Sequence, residues 1–135
     1  RHVANARKVV EFLSSHAAVE SIAFPELASH PDYELAKTLL PKGCGSVFSF
    51  NIKGDRAAGQ RFVESLKVFS HLANVGDAKS LVIHPASTTH FRVPAEQLAA
   101  SGISEGTIRL SVGLENVDDL IEDLTRGLKM AQKGK

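Results

Sequence analysis

The sequence predicts an α/β domain in which a mixed sheet carries helices mainly on one face. Segments with helical and strand patterns alternate along the 135 residues, and the chain both begins and ends with a helical pattern. Two of the strand segments alternate apolar with polar residues, and a third is apolar throughout. Because an element with one apolar side must bury that side against another layer, the pattern implies a sheet covered by helices.

The length and composition describe one ordinary domain. Residues 1–135 contain no internal repeat, linker or low-complexity run, and this length suffices for a single core. The 16 basic residues against 15 acidic ones leave a formal net charge of +1. This near balance gives no argument for binding to nucleic acid or to a membrane surface, and no apolar run approaches the roughly 20 residues of a membrane helix.

The single cysteine and the first residue bear on the compartment and on completeness. Cys44 has no partner for an internal disulfide, which is compatible with a reducing cytoplasm. Its KGCGS context favours a small residue at a strand entry over a catalytic nucleophile. The chain begins at Arg1 with an already helical pattern and no capping residue. We therefore expect a cytoplasmic protein with a further part upstream of Arg1.

Two helices and a strand are predicted in the first part of the chain. Apolar residues three or four positions apart predict an amphipathic helix over residues 2–16, and a short strand follows over residues 19–24. A second helix opens at the His-Pro pair of residues 30–31 and ends at Pro41. The expected apolar positions of this second helix are Tyr33, Leu35, Ala36, Leu39 and Leu40.

The middle of the chain predicts a strand followed by a capped helix. Residues 46–53 alternate, with three apolar side chains on one face. Asp55 is a good N-cap for the next helix. Gly59, inside that helix, is expected to weaken it by up to about 1 kcal/mol relative to alanine. The expected buried stripe of this helix consists of Ala58, Phe62, Leu66 and Phe69.

The last third predicts a buried strand, a short helix and a long C-terminal helix. Residues 81–83 are a continuous apolar run, and a short helix runs from Pro94 through Ala100, with Gly102 as its stop. Asn116 caps the last helix. The core side of that helix is predicted to contain Val117, Leu120, Ile121, Leu124 and Leu128.

One strand carries a single charge. Within TIRLSV, Ile108 and its apolar partners alternate with Thr107, Arg109 and Ser111, so Arg109 is expected to point away from the apolar face. A guanidinium mounted on a strand can hold a carboxylate through two parallel hydrogen bonds. A surface arginine, or one paired with a nearby acidic side chain, is the alternative that composition alone favours.

Two long segments carry a resemblance that favours a carboxylate-binding Arg109 over a surface or ion-paired one. NVGDAKSLVIHPASTTH and GISEGTIRLSVGLENVDDLIEDL resemble the C-terminal end of the Cys/Met-metabolism family of pyridoxal-phosphate enzymes. The resemblance extends over nearly the whole chain, and GDAKSLVIHPASTTH is most similar to the O-acetylhomoserine sulfhydrylase branch. It implies the small C-terminal domain of a fold-type-I enzyme, with a mixed, largely antiparallel sheet and a large cofactor-binding domain upstream.

The resemblance also implies roles for particular residues. Arg109 is at the family position that binds the substrate α-carboxylate, and Asn74 is at a position beside the same carboxylate. The loop with Ser87, Thr88 and Thr89 is expected near the mouth of the active site, where these side chains would support the residues that bind substrate.

The resemblance implies a parent enzyme that converts O-acetylhomoserine and sulfide to homocysteine and acetate. The parent would bind pyridoxal phosphate in the upstream domain, and family members are typically tetramers. No lysine of this chain lies in a Schiff-base motif, so the isolated chain is expected to be inactive and to hold no cofactor. Methionine γ-lyase and cystathionine γ-synthase are alternative reactions, and a non-catalytic amino-acid-binding or interaction domain is an alternative from another class.

Other site chemistries are not favoured by the sequence. His84 and His90 lie six residues apart without further ligands at suitable spacing, which favours structural histidines over a metal site. Neither a hydrolase elbow around the serine nor a glycine-rich nucleotide loop is present.

Overall fold

The computed structural model describes residues 1–134, which form one sheet with helices packed on it. The helices of these residues are α1 (His2–Ser14), α2 (Tyr33–Leu39), α3 (Arg56–Ser65), α4 (Ala95–Ala100) and α5 (Val117–Gln132). The strands are β1 (Val19–Ala23), β2 (Val47–Ile52), β3 (Ser70–His71), β4 (Leu81–Ile83) and β5 (Thr107–Ser111). A 3-10 turn occupies Pro85–Ser87.

The sheet has the strand order β1-β2-β5-β4-β3, so the strand that carries Arg109 lies at its centre. β5 is antiparallel to both of its neighbours, with Phe48 and Val82 facing Leu110. β1 and β2 are also antiparallel, and β3 alone pairs in parallel, with β4. The predicted mixed, largely antiparallel sheet is thereby confirmed.

The main core lies between one face of this sheet and the helices α1, α3 and α5. Alternate residues of the two central strands face it, and Ile108, Leu110 and Val112 have no exposed surface. The phenylalanine rings of Phe50 and Phe62 meet edge to face at 5.9 Å between centroids. The long helices therefore lie mainly on one face, as predicted. Within residues 1–134, no helix is both long and apolar enough to cross a membrane.

The apolar positions of the second helix are mostly exposed. α2 covers only seven residues, and Ala36 is its sole buried side chain. Leu35, Leu39 and Leu40 are 54%, 65% and 50% exposed. The helical spacing was correct, but spacing alone does not supply a partner layer.

The expected stripe of α3 is wrong at its end. The helix stops at Ser65, so Leu66 and the buried Phe69 lie beyond it. The cause is the carboxylate of Asp123 on α5, which accepts hydrogen bonds from the backbone N–H groups of residues 67, 68 and 69 at 2.8–3.1 Å. Asp123 is 1% exposed and also pairs with Arg126. A buried carboxylate with this many donors fixes an extended segment where the sequence pattern predicted helix.

The caps of α3 and α5 are confirmed. The Asp55 carboxylate accepts from Ala58 N at 2.9 Å, and the Asn116 side chain accepts from Asp118 N at 2.9 Å. On α5 the predicted core residues Leu120, Leu124 and Leu128 are fully buried. Val117 and Ile121 are only half-buried at the margin of the core.

Candidate functional site

An open cleft lies on the second face of the sheet, opposite the main core. Its volume is about 450 Å³. Three strands contribute to it in register, because Ser49 of β2 and Ile83 of β4 flank Arg109 of β5. The remaining lining residues are Pro85, Thr89, His90, Ser101, Gly102, Ile103 and Thr107. The cleft is therefore bounded by the sheet on one side and by the segment between β4 and β5 on the other.

Arg109 lines this cleft with most of its hydrogen-bonding capacity unused. Its side chain points away from the core, as the alternation predicted, and is half-buried. One guanidinium nitrogen, Nη2, donates to the backbone carbonyl of Asn74 at 3.4 Å. No carboxylate among residues 1–134 forms an ion pair with it. A half-buried cation with free N–H groups in a cleft is suited to binding an anionic ligand.

The alternation correctly predicted the direction of the Arg109 side chain. Its two neighbours on the same face are more buried than the alternation predicted. Thr107 and Ser111 are 6% and 3% exposed, although the alternation predicted a half-buried strand. Thr107 Oγ1 donates to Asn51 Oδ1 at 2.6 Å, and Ser111 Oγ accepts from Gly76 N at 3.3 Å. A side chain of the neighbouring strand β2 and a loop from a remote part of the chain thus cover the two sides of Arg109.

Asn74 meets Arg109 through its backbone, while its side chain is engaged elsewhere. The residue is exposed, and its Oδ1 atom accepts from Val75 N at 2.8 Å. The carbonyl oxygen is the atom that contacts the guanidinium. The structure therefore brings together the two predicted substrate-binding residues.

The three polar residues of the HPASTTH loop have different surroundings. Ser87 Oγ lies 2.8 Å from His84 Nδ1, and Thr88 Oγ1 donates to the His84 carbonyl at 2.9 Å. Thr89 lines the cleft with Arg109, and its Oγ1 atom lies 2.8 Å from His90 Nδ1. Thr89 and His90 thus reach the cleft, whereas Ser87 and Thr88 secure the turn beneath it.

His84 is a buried, neutral anchor of this loop. The side chain has no exposed surface, and its Nε2 atom lies 2.7 Å from the backbone oxygen of Glu105. Because a carbonyl only accepts, Nε2 carries the proton and Nδ1 accepts from the Ser87 hydroxyl. Burial holds the pKa of His84 below its ordinary value of 6.5, so the ring stays neutral. The ring ties the loop after β4 to the turn before β5, which supports the structural interpretation of this histidine.

The position of His84 requires a glycine at residue 59. The predicted loss of helix stability is therefore only part of the effect of Gly59. A Cβ atom at Gly59 would overlap the imidazole ring of His84. The absence of a side chain lets α3 approach the ring directly. The helix propensity lost at Gly59 is therefore exchanged for close packing between α3 and the loop.

An ion pair fixes the same turn from the outside. Arg56, the first residue of α3, donates from Nε and Nη2 to the two oxygens of Glu105 at 2.7 and 2.9 Å. This two-point pair lowers the pKa of the Glu105 carboxyl. Sequence reasoning missed Glu105, His90 and Ser49 as parts of the site. The Ser49 position follows from strand pairing, which the sequence pattern does not specify.

The cleft contains no lysine that could form a Schiff base with pyridoxal phosphate. Formation of a Schiff base requires a lysine amine, and none of the cleft residues is a lysine. All lysines within the described range 1–134 are exposed. Over the same range, no group of three or more His, Cys, Asp and Glu residues is placed to hold a metal ion. The cleft does contain the guanidinium of Arg109.

Comparison with known proteins identifies the family. A family model described as Cys/Met metabolism PLP-dependent enzyme, that is, pyridoxal-phosphate-dependent, matches residues 1–129. The chain belongs to this family. The resemblance of the two sequence segments that flank and include the cleft is thereby confirmed, and Arg109 and Asn74 both fall inside the matched range.

Two relatives have different activities in their names. The chain is 51% identical over 128 residues to an L-methionine gamma-lyase of Treponema denticola, which covers 95% of this chain and 32% of that protein. It is 45% identical over 130 residues to an O-acetyl-L-homoserine sulfhydrylase of Leptospira meyeri, and this aligned region covers 96% of this chain and 29% of that protein.

A solved structure confirms the fold class. The crystal structure of cystathionine gamma synthase from Xanthomonas oryzae, in complex with aminoacrylate and cysteine, matches with a TM-score of 0.86 and 44% identity. The match covers 97% of this chain and 34% of that chain. The chain thus spans about a third of the length of these relatives.

Proposed function

We propose that this chain is part of a pyridoxal-phosphate-dependent O-acetylhomoserine sulfhydrylase, which converts O-acetylhomoserine and sulfide to homocysteine and acetate. Arg109 binds the α-carboxylate of the amino-acid substrate, and Asn74 lies beside that carboxylate. The observation that carries the role of Arg109 is its geometry: a half-buried guanidinium in a cleft, with one long hydrogen bond to a carbonyl. Family membership supports the cofactor and the substrate class.

The contribution of this chain is to bind and orient the substrate. A planar guanidinium can hold both oxygens of a carboxylate, which fixes the rotation of the amino acid as well as its position. Thr89 and His90 border the same cleft and restrict the space around the bound group. When bound by the rest of the protein, pyridoxal phosphate would supply the electron sink for the bond-breaking chemistry.

The division of labour gives an expectation for the isolated chain. Because the cleft contains no lysine, we expect residues 1–135 alone to show no sulfhydrylase activity even with added pyridoxal phosphate. The full-length protein, which we propose to be a cytoplasmic homo-oligomer and a tetramer as is typical of the family, should be active. Activity of the isolated chain would contradict this assignment.

The preference for the sulfhydrylase rests on the amino-acid sequence of the segment from Gly76 to His90 and on the presence of Asn74. The 51% identity to a methionine gamma-lyase, against 45% to a sulfhydrylase, favours the lyase as the second candidate. The two reactions share the substrate carboxylate, so Arg109 has the same role in both. The third named activity, cystathionine γ-synthase, would also place the carboxylate on Arg109.

The test is a paired assay on the full-length protein with its cofactor. One arm measures homocysteine formed from O-acetylhomoserine and sulfide, and the other measures methanethiol and ammonia released from methionine. We expect the first reaction to have the higher kcat/KM. The reverse order would assign the lyase, and binding of either amino acid with turnover of neither would favour the non-catalytic binding domain.

A further inference from the structure

The segment of residues 74–80 runs alongside the second half of β5 and the turn that follows it. Beyond the contact between Asn74 and Arg109, Gly76 N donates to Ser111 Oγ at 3.3 Å and Leu114 N donates to the Ala78 carbonyl at 2.9 Å. The hydrogen bonds shorten steadily from the Asn74 end towards Ser80. The segment is therefore held loosely where it meets the guanidinium and tightly at its far end.

The tight end consists of a buried serine on a carboxylate. Ser80 has no exposed surface, and its N and Oγ atoms donate to the two carboxylate oxygens of Glu115, each at 2.7 Å. The same hydroxyl accepts from Gly113 N at 2.8 Å. Hydrogen bonds to an ionised acceptor are about twice as strong as neutral ones, so this pair is the strongest attachment of the segment.

The Glu115 backbone is itself fixed by the first helix. Asn5 of α1 donates from Nδ2 to the carbonyls of Gly113 and Glu115 at 3.0 and 2.9 Å. Gly113 lies so close to the backbone of residues 78–80 that a Cβ atom there would overlap it. The carboxylate that holds Ser80 is therefore mounted on a rigid support.

We infer that Glu115 is a positioning residue for Arg109, acting through the 74–80 segment. This inference rests on the proposed role of Arg109 in carboxylate binding. The Glu115 carboxylate fixes Ser80, Ser80 fixes the course of the segment, and the segment places the Asn74 carbonyl against Nη2. The two contacts at 3.3 and 3.4 Å are too long to hold this carbonyl alone. Without the anchor, the guanidinium loses its contact with the Asn74 carbonyl, which biases its orientation towards the cleft.

The test measures ligand binding to the full-length holoenzyme, so that no turnover is needed. Glu115→Gln keeps the shape of the side chain but replaces one accepting oxygen with a donor. L-Norleucine, which has the α-carboxylate, and pentylamine, which lacks it, are compared by titration calorimetry. We expect the Kd of norleucine to rise about three- to tenfold, the range of one weakened charge-assisted hydrogen bond, with less than about a twofold change for pentylamine.

A matched control and a second variant keep the result interpretable. Glu122→Gln makes the same chemical change at an exposed position of α5, where the nearest cation is Arg126 at 3.8 Å, and should leave both Kd values unchanged. Glu115→Asp retains the charge but is too short to reach both donors of Ser80. Glu115→Asp should also raise the norleucine Kd, and it replaces Glu115→Gln in the test if the glutamine variant does not fold.

A double variant separates positioning from general destabilisation. If Glu115 acts through Arg109, the effect of Glu115→Gln on norleucine should largely disappear in an Arg109→Lys background. Additive effects, or equal weakening of norleucine and pentylamine, would overturn the inference. If Arg109→Lys alone leaves norleucine binding unchanged, the proposed role of Arg109 is wrong, which is a separate outcome.

Discussion

The two faces of β5 are specified by different kinds of interaction. On one face Ile108, Leu110 and Val112 have no exposed surface and pack into the core beneath the long helices. On the other face Thr107, Arg109 and Ser111 each use a polar atom, and their partners are Asn51, Asn74 and Gly76. The apolar face requires only side chains of suitable volume. The polar face requires specific groups brought from distant parts of the chain.

This difference separates stability from function along a single strand. Apolar packing is non-directional, so changes on that face should alter the unfolding free energy and leave the cleft geometry intact in the folded molecules. Hydrogen bonds depend on direction, so changes on the other face should alter binding with little effect on unfolding. Variants at neighbouring positions of β5 can test this separation directly.

The largest effect is expected for Leu110→Ala on the apolar face. Leu110 is fully buried, and removal of such a side chain leaves a cavity that costs about 2–5 kcal/mol of unfolding free energy. Denaturant titration of the chain, followed by circular dichroism, measures the change. Leu39→Ala is the matched control, since Leu39 is 65% exposed and should change stability by less than about 0.5 kcal/mol. Similar losses in both variants would refute the packing account.

Arg109→Lys should have the second largest effect, and it should appear in kinetics. Lysine keeps the charge but lacks the planar fork, so substrate is held loosely and kcat/KM should fall by roughly 10- to 100-fold. Unfolding should be nearly unchanged, because the side chain points away from the core. Steady-state assays and thermal unfolding are run on the same full-length variant. Arg7→Lys, an ion-paired arginine of α1, is the control. A lowered melting temperature with normal kinetics would make Arg109 a structural residue.

The same comparison explains which parts of the structure the sequence could predict. Helices α1, α3 and α5, the apolar strands and the outward direction of Arg109 follow from periodicity, which is a local property. The environments of Asp123, Ser80 and His84 do not follow from it. Each is a polar side chain that is buried because remote backbone groups satisfy it, and periodicity carries no record of those groups. The exposed leucines of α2 show the opposite case. Their spacing correctly predicted a helix, but no described layer covers them.

Gly59→Ala should sharpen the boundary between the two faces. The added methyl group would overlap the His84 ring, so α3 and the loop after β4 must separate slightly, at a cost of about 1–3 kcal/mol. Thermal unfolding measures the loss. Gln60→Ala, at the neighbouring exposed position of α3, should be neutral. A stabilised Gly59→Ala variant would show that helix propensity outweighs the contact with His84.

The smallest expected effect is a dependence of stability on pH that arises from His84. The folded-state pKa of His84 is lowered by burial, so the folded protein resists protonation of the ring while the unfolded chain does not. The contribution of His84 to the unfolding free energy is therefore fully present at pH values above 6.5, the ordinary pKa of histidine, and it decreases as the pH drops below that value. The carboxyl of Glu105, whose pKa is also lowered, adds its loss only below 4.5. Denaturant titrations at several pH values should show the first decline in the original chain and a weaker one in His84→Gln.

The central place of β5 has a consequence for the order in which the molecule folds. β5 joins the β1–β2 pair to the β3–β4 pair, yet it comes after residue 106 of the chain. Until it emerges from the ribosome, β2 and β4 each present an unpaired edge, and the two halves of the sheet have no common hydrogen-bonded strand. Pairings between residues this distant in sequence form slowly, and open edges invite association with other chains. A nascent chain that stalls before β5 is therefore the species most exposed to aggregation, and chaperones would act on it at this stage.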